Sequence, residues 1–249
     1  MSTGEPPRAG DAVSAVVFDF DGLLMDTEST SLASWRYEWS QWGLSLDEGT
    51  FFADHGGDVT EERYAALAAA AGPSYDRQLS HARRTAYRDR LHHELGLAAG
   101  IPGWLDGAAS LGLRLAVASS SPRSWVAGHL ERAGVAAMFE VLACGDEVAG
   151  HKPAPDVYVL ALRRLGVASS RAVAVEDTVH GVAAARAAGL RCIAIPNPFA
   201  DRSRFGEANL VLASAADGAV PGLGGRLAGS RRRRCRPPPA AMSRRCLPR

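Results

Sequence analysis

The chain has 249 residues, 47% hydrophobic and 22% charged, which is enough apolar material for a packed core and excludes a disordered polypeptide. A formal net charge of +1 marks neither a nucleic-acid binder nor a strongly acidic protein. Four scattered cysteines (Cys144, Cys192, Cys235, Cys246) form no CxxC pair and no cluster with histidine at zinc spacing, so a disulfide scaffold and a structural zinc site are excluded.

The chain opens on a polar, Pro-containing stretch, and the apolar run that follows, 13–18, is short and ends on Asp19. It suits neither a secretory signal nor a membrane span, so a soluble protein of the reducing cytoplasm is expected. The same run, rich in β-branched residues and bounded by Gly10 and Asp11, predicts a buried strand. Similar runs predict strands at 113–118, 172–175, 191–195 and 209–212. They alternate with helical stretches at 104–111, 124–133, 154–165 and 179–188, each followed by a glycine in C-capping position: Gly112, Gly134, Gly166 and Gly189. This alternation predicts an α/β fold, a Rossmann-like doubly wound parallel sheet.

Residues 28–99 break the pattern. They hold no strand candidate but three helical stretches, near 29–42, 60–71 and 75–95, which predicts an inserted all-helical cap domain with 98–103 as the return linker. The expected organisation is an α/β core of 11–27 and 100–220, a cap of 28–99, and a disordered Arg-rich tail of 221–249. Trp35, Trp39 and Trp42 are read as an apolar packing face of the first cap helix, and His92 and His93 as solvated. All 27 acidic residues lie at or before Asp217, whereas nine of the 28 basic ones follow it, so an acidic body carries a basic tail. With its Pro triplet and no apolar periodicity, the tail is expected to be disordered.

The chemistry concentrates at strand ends. Directly after the first strand comes Asp19-Phe20-Asp21-Gly22, and a turn at Gly22 lets both carboxylates face one crevice. Ligands of open α/β sheets bind there, beyond the carboxyl ends of the strands. Two neighbouring carboxylates repel unless a cation or a shared proton compensates, so the pair points to a metal, an acid/base role, or both. Ser119-Ser120-Ser121 follows the strand 113–118, beside a helix start suited to an anionic oxygen. Glu176-Asp177 follows 172–175 and adds hard oxygen ligands. Lys152 stands before Pro153-Ala154-Pro155, where the next helix begins. Of 28 basic residues 27 are arginine, and Lys152 alone is lysine; a compact ammonium fits between a carboxylate and a phosphoryl oxygen where a guanidinium fork fits poorly.

With FDFDGLLMDTE, LRLAVASSS, HKPAPDVY and VEDTVHGVAAARAAG, the sequence resembles the haloacid dehalogenase superfamily over residues 13–215, in the helical-cap subgroup that holds β-phosphoglucomutase-like and phosphoglycolate-phosphatase-like proteins. The resemblance implies a phosphatase in which Asp19 is the nucleophile, Asp21 the general acid and base, and Ser119, Ser120 and Lys152 the phosphate ligands. It further implies Mg²⁺ on Asp19, the backbone carbonyl of Asp21, and Asp177, with Glu176 close by. Asp21 argues against carbon–halogen cleavage, which needs no leaving-group acid. Ser31 stands where β-phosphoglucomutases carry a cap histidine, and the loop 52–60 lacks their cap arginine, so a phosphatase is expected and a phosphomutase is the alternative. In that loop His55, Gly56, Gly57 and Asp58 are candidate specificity residues, with a plain turn equally compatible. His180, one turn past Asp177, is read as a helix-surface residue because Mg²⁺ prefers oxygen. The expected partner is a small phosphate ester, handled by a monomer without a membrane. Nucleic-acid or polyanion binding through the tail is the remaining alternative, disfavoured because the tail lacks aromatic residues for stacking.

Overall fold

The computed structural model of the protein describes residues 12–51, 59–197 and 200–217. Six parallel strands form its sheet: β1 (Ala15–Phe18), β2 (Arg114–Ala118), β3 (Val141–Ala143), β4 (Ala172–Glu176), β5 (Arg191–Ala194) and β6 (Leu210–Val211). Their order is β3-β2-β1-β4-β5-β6, so the direction of strand addition reverses beside β1 and opens a crevice there. Phe18 stands in register with Val117 of β2 and Val175 of β4. The residues that follow these three strand ends therefore emerge together at one edge. The chain after β1 forms α1 (Thr27–Gln41), α2 (Glu48–Phe51), α3 (Thr60–Ala71) and α4 (Arg77–Glu94), and then α5 (Ile101–Ser110), α6 (Arg123–Arg132), α7 (Asp156–Leu165) and α8 (Val179–Ala187) alternate with the later strands.

The strands read as continuous apolar runs because helices cover both faces. Val16 and Phe18 pack with Ile101, Trp104 and Leu105 of α5 and Val126 and Leu130 of α6. Ala15 and Val17, pointing the other way, pack with Val157, Tyr158 and Ala161 of α7 and Val182 and Ala184 of α8. Phe18 is fully buried and meets Trp104 edge-on at 6.5 Å, a burial that contributes about 1.5–3 kcal/mol. Trp104 also donates its indole N–H to the carbonyl of Ala215 at 2.9 Å.

Between Thr27 and Glu94 the described residues form helices joined by short connections and add no strand to the sheet. Leu32, Trp35 and Tyr64 form a small core there, with Trp39 and Leu46 against it. The guanidinium of the buried Arg84 lies 4.3 Å over the Trp35 ring and donates from Nε to Tyr64 Oη at 2.8 Å. Trp35 and Trp39 thus have the packing role expected of them. Trp42 instead closes α1 and donates to Glu38 Oε1 at 2.9 Å. Among the described residues no helix is long and apolar enough to cross a membrane.

Four expectations change. The strand β3 has no counterpart in the sequence reading, because three residues carry no periodicity. The helix expected from 154 begins at Asp156, since Pro155 takes the N-cap position. The return linker is shorter than 98–103, because α5 already begins at Ile101 with proline in its first turn. His92 is not solvated: it is buried, with its ring edge-on to Trp125 at 4.8 Å and Nε2 bonded to Thr30 Oγ1 at 3.0 Å. Its neighbour His93 is exposed, as helical geometry dictates for adjacent residues.

Candidate active site

The register of β1, β2 and β4 brings Asp19, Ser119 and Asp177 to one edge of the sheet. The backbone N–H of Asp19 still donates to Val175 at 2.9 Å, and that of Ser119 to Ala143 at 3.0 Å. Their side chains therefore leave from ordered backbone. Asp19 is 7% exposed and Asp177 1%, so both carboxylates are almost wholly out of water.

Lys152 enters from the turn before α7 and donates from Nζ both to Asp19 Oδ1 and to Glu176 Oε1, the latter at 2.6 Å. Tyr158 donates to the same Glu176 oxygen at 2.5 Å. Glu176 can lie so close beneath because residue 181 is glycine: a Cβ there would fall 2.0 Å from its carboxylate. Gly181 thus makes room for a charged side chain. Burial opposes the charge of Lys152, but the carboxylates of Asp19 and Glu176 outweigh it and hold the ammonium above its usual range.

One ammonium faces three buried carboxylates. Burial, with the charges of Glu176 and Asp21 adding to it, pushes the Asp19 carboxyl up to about 7 against the pull of Lys152. Burial, with the charges of Asp19, Glu176 and Glu28 adding to it, pushes Asp177 upward as well. Neither carboxylate oxygen of Asp177 has a hydrogen-bond partner. Such a group is costly unless a cation meets it. Asp19, Glu176 and Asp177 each offer an oxygen within 4.8 Å of the others. Gly22, at φ +82°, leaves space that a Cβ would fill 2.2 Å from Asp177 Oδ2. An oxygen-only donor set, an excess of negative charge and an unpartnered carboxylate fit a hard divalent cation.

Asp21 is part of the same edge but has its own partners. Ser121 Oγ donates to its Oδ2 at 2.6 Å and Trp125 Nε1 to its Oδ1 at 3.0 Å. Ser119 is buried, and its Oγ accepts from the backbone N–H of Ser121 at 3.0 Å, while Ser120 is exposed. His180 is half-buried and outside the acidic cluster. His55, Gly56, Gly57 and Asp58 lie outside the described residues, as does the tail 221–249. Sequence reasoning missed Trp125 and Tyr158. Trp125 had no signal but its place in the first turn of α6, three residues after Pro122, and Tyr158 looked like one more apolar position of α7.

The sequence profile described as haloacid dehalogenase-like hydrolase matches residues 16–195. The protein CbbY of Rhodobacter capsulatus is 35% identical over 225 residues, covering 84% of this chain and 98% of that protein. Fructose-1-phosphate phosphatase YqaB of Escherichia coli K12 is 29% identical, covering 72% of this chain and 94% of that protein. A solved structure of a CbbY mutant from Rhodobacter sphaeroides in complex with xylulose-1,5-bisphosphate superposes with a TM-score of 0.64 at 32% identity, covering 85% of this chain and 99% of that one.

Proposed function

The chain belongs to the haloacid dehalogenase-like hydrolases, and from that premise we propose that it is a Mg²⁺-dependent phosphatase of sugar or polyol phosphates working through an aspartyl-phosphate on Asp19. The observation that carries this reading is Asp19 itself: a buried carboxylate bonded to the chain's sole lysine and set beside the partnerless carboxylate of Asp177. In this reading residues 28–99 are the cap over that edge and the protein works in the cytoplasm.

Asp19, Asp177 and the backbone carbonyl of Asp21 would hold Mg²⁺, with Glu176 close by. Bound there, the cation offsets the like charges of Asp19 and the phosphate, which otherwise repel. Lys152 and the Ser119 hydroxyl, with Ser120 at the rim, bind the phosphoryl oxygens as negative charge spreads over them. Asp19 attacks phosphorus, the bond to the ester oxygen breaks, and that oxygen keeps the electron pair and takes the proton of Asp21. Asp21, now a carboxylate, takes a proton from water as the water attacks the aspartyl-phosphate; phosphate leaves and both acids return to their starting state. Splitting one hard displacement into two assisted steps is what the nucleophile contributes.

The test is phosphate release from a panel of phosphorylated sugars and polyols with Mg²⁺, by wild type and by Asp19→Asn. Wild type should turn over members of the panel, and the variant should release no phosphate while keeping its thermal midpoint. Turnover by Asp19→Asn above a tenth of wild type would remove Asp19 as the nucleophile.

A further inference from the structure

The two donors that hold Asp21 have no part in the mechanism above. Trp125 and Ser121 occupy its two carboxylate oxygens, one each. Trp125 is itself held from both sides. His129, one helical turn on, approaches the indole with ring centroids 4.0 Å apart and has Nδ1 2.9 Å from the Trp125 carbonyl. His92 of α4 meets the indole edge-on at 4.8 Å. In turn Thr30 holds His92 at 3.0 Å and donates to the Thr27 carbonyl at 2.8 Å, in the first turn of α1. The indole is therefore fixed between a core helix and a cap helix, with its N–H aimed at Asp21.

The two donors differ in kind. An indole N–H only donates, so it keeps Oδ1 as an acceptor. A hydroxyl donates or accepts, so Ser121 satisfies Oδ2 with or without a proton on it. We propose that Trp125 is a positioning residue for proton transfer: by holding Oδ1 as an acceptor it confines the proton that Asp21 shuttles to Oδ2 and sets the direction from which that proton is delivered. On ester cleavage the Oδ2 proton goes to the departing oxygen, which keeps the electron pair of the broken P–O bond; on hydrolysis a water proton returns to Oδ2. The proposal rests on the phosphatase reading and adds to it a residue that touches neither the phosphate nor the cluster of Asp19, Glu176 and Asp177.

The readout is the leaving group. p-Nitrophenolate departs as a stable anion and needs little help, whereas an alkoxide must be protonated as it leaves. The parameter is kcat/KM, which reports transition-state stabilisation from free enzyme and substrate. Wild type and Trp125→Phe, which keeps the ring packing and loses the N–H, are compared on p-nitrophenyl phosphate and on whichever of glycerol 1-phosphate, benzyl phosphate and fructose 1-phosphate wild type turns over fastest. The variant should lose about 10²-fold on the alkyl phosphate, the lower end of what a general acid is worth, and less than about threefold on p-nitrophenyl phosphate. Replacing Trp125 by 3-benzothienylalanine, an isosteric ring with sulfur in place of the N–H, should show the same selective loss, and so serves if Trp125→Phe does not fold. Equal losses on both substrates in the folded variants would overturn the positioning role and leave the phosphatase reading standing. Wild type inactive on every one of these esters would overturn both.

Discussion

The ammonium of Lys152 lies 2.6 Å from Glu176 Oε1 and donates at the same time to Asp19 Oδ1, so one cation spans two buried carboxylates from the ends of neighbouring strands. Its side chain is 8% exposed and has Tyr158 beneath it, with Nζ 5.1 Å from the ring centre. A point charge satisfies this place; a planar fork does not, because its donors are fixed in one plane and its breadth must displace Asp19, Glu176 or Tyr158. Lys152→Arg should therefore lower kcat about 10²-fold or more although the charge is kept, the scale expected for misplacing reacting groups by about 1 Å. Steady-state kinetics on p-nitrophenyl phosphate checks this, and a loss below threefold would show that charge alone matters at this position.

The charge excess of the cluster gives the metal-free protein a definite pH dependence. Asp19 is pushed from its usual 3.8 up to about 7 and Asp177 is pushed upward too, both by burial first. A carboxyl with a raised folded-state pKa binds its proton more tightly when folded, so its contribution to stability is full below about 4 and is lost as pH rises to about 7. In EDTA the thermal midpoint should fall across that window through this contribution. Mg²⁺ requires the ionised carboxylates, so its stabilising shift should be larger at pH 8 than at pH 5, reaching about 2.7 kcal/mol at a hundred times its Kd. Melting curves with EDTA and with Mg²⁺ at the two pH values decide it, and a shift independent of pH would count against a site made of Asp19 and Asp177.

Gly22 links the motif's turn to the cluster. Its φ of +82° lies in the left-handed region, and a Cβ there would stand 2.2 Å from Asp177 Oδ2. Gly22→Ala therefore carries two costs, roughly 1–2 kcal/mol for the backbone and the displacement of a carboxylate that has no other partner. The expected result is a moderate drop in thermal midpoint together with loss of most of the Mg²⁺-dependent shift, followed by titrating Mg²⁺ against melting temperature. An intact Mg²⁺ shift in Gly22→Ala would show that Asp177 does not need that space.

What the sequence made legible follows from which signals are local. Strands β1, β2, β4 and β5 are runs buried on both faces, and the helices between them close on Gly112, Gly134, Gly166 and Gly189, all at positive φ. Asp19, Ser119, Lys152 and the Glu176-Asp177 pair stood out because each follows or precedes such an element in the chain, and the parallel register then gathers them. The strand β3 was invisible because its three residues take their strand form from pairing with β2 rather than from any pattern of their own. Trp125 and His92 were invisible as partners because they lie 33 residues apart on α6 and α4, and only packing joins them. Gly181 was equally silent in the sequence, because only the fold brings the Glu176 carboxylate to where its Cβ would stand.

The helical segment has a buried charge of its own, and it should behave differently from the cluster. Glu38 is fully buried in α1, where Oε1 accepts from Ser80 at 2.6 Å, from Arg83 at 2.7 Å and from Trp42 at 2.9 Å. Here donors outnumber acceptors, so the carboxylate is satisfied by the protein and needs no added cation. Glu38→Ala removes the shared acceptor and leaves the buried Ser80 hydroxyl and the Trp42 N–H without it, at a cost of about 1–3 kcal/mol. Because those contacts join α1 to α4 and do not reach the sheet, hydrogen exchange should quicken across α1 and α4 while the strands keep their protection and the Mg²⁺-dependent shift is unchanged. Faster exchange spread equally over β1 and β4 would mean that the helical segment and the sheet unfold as one unit.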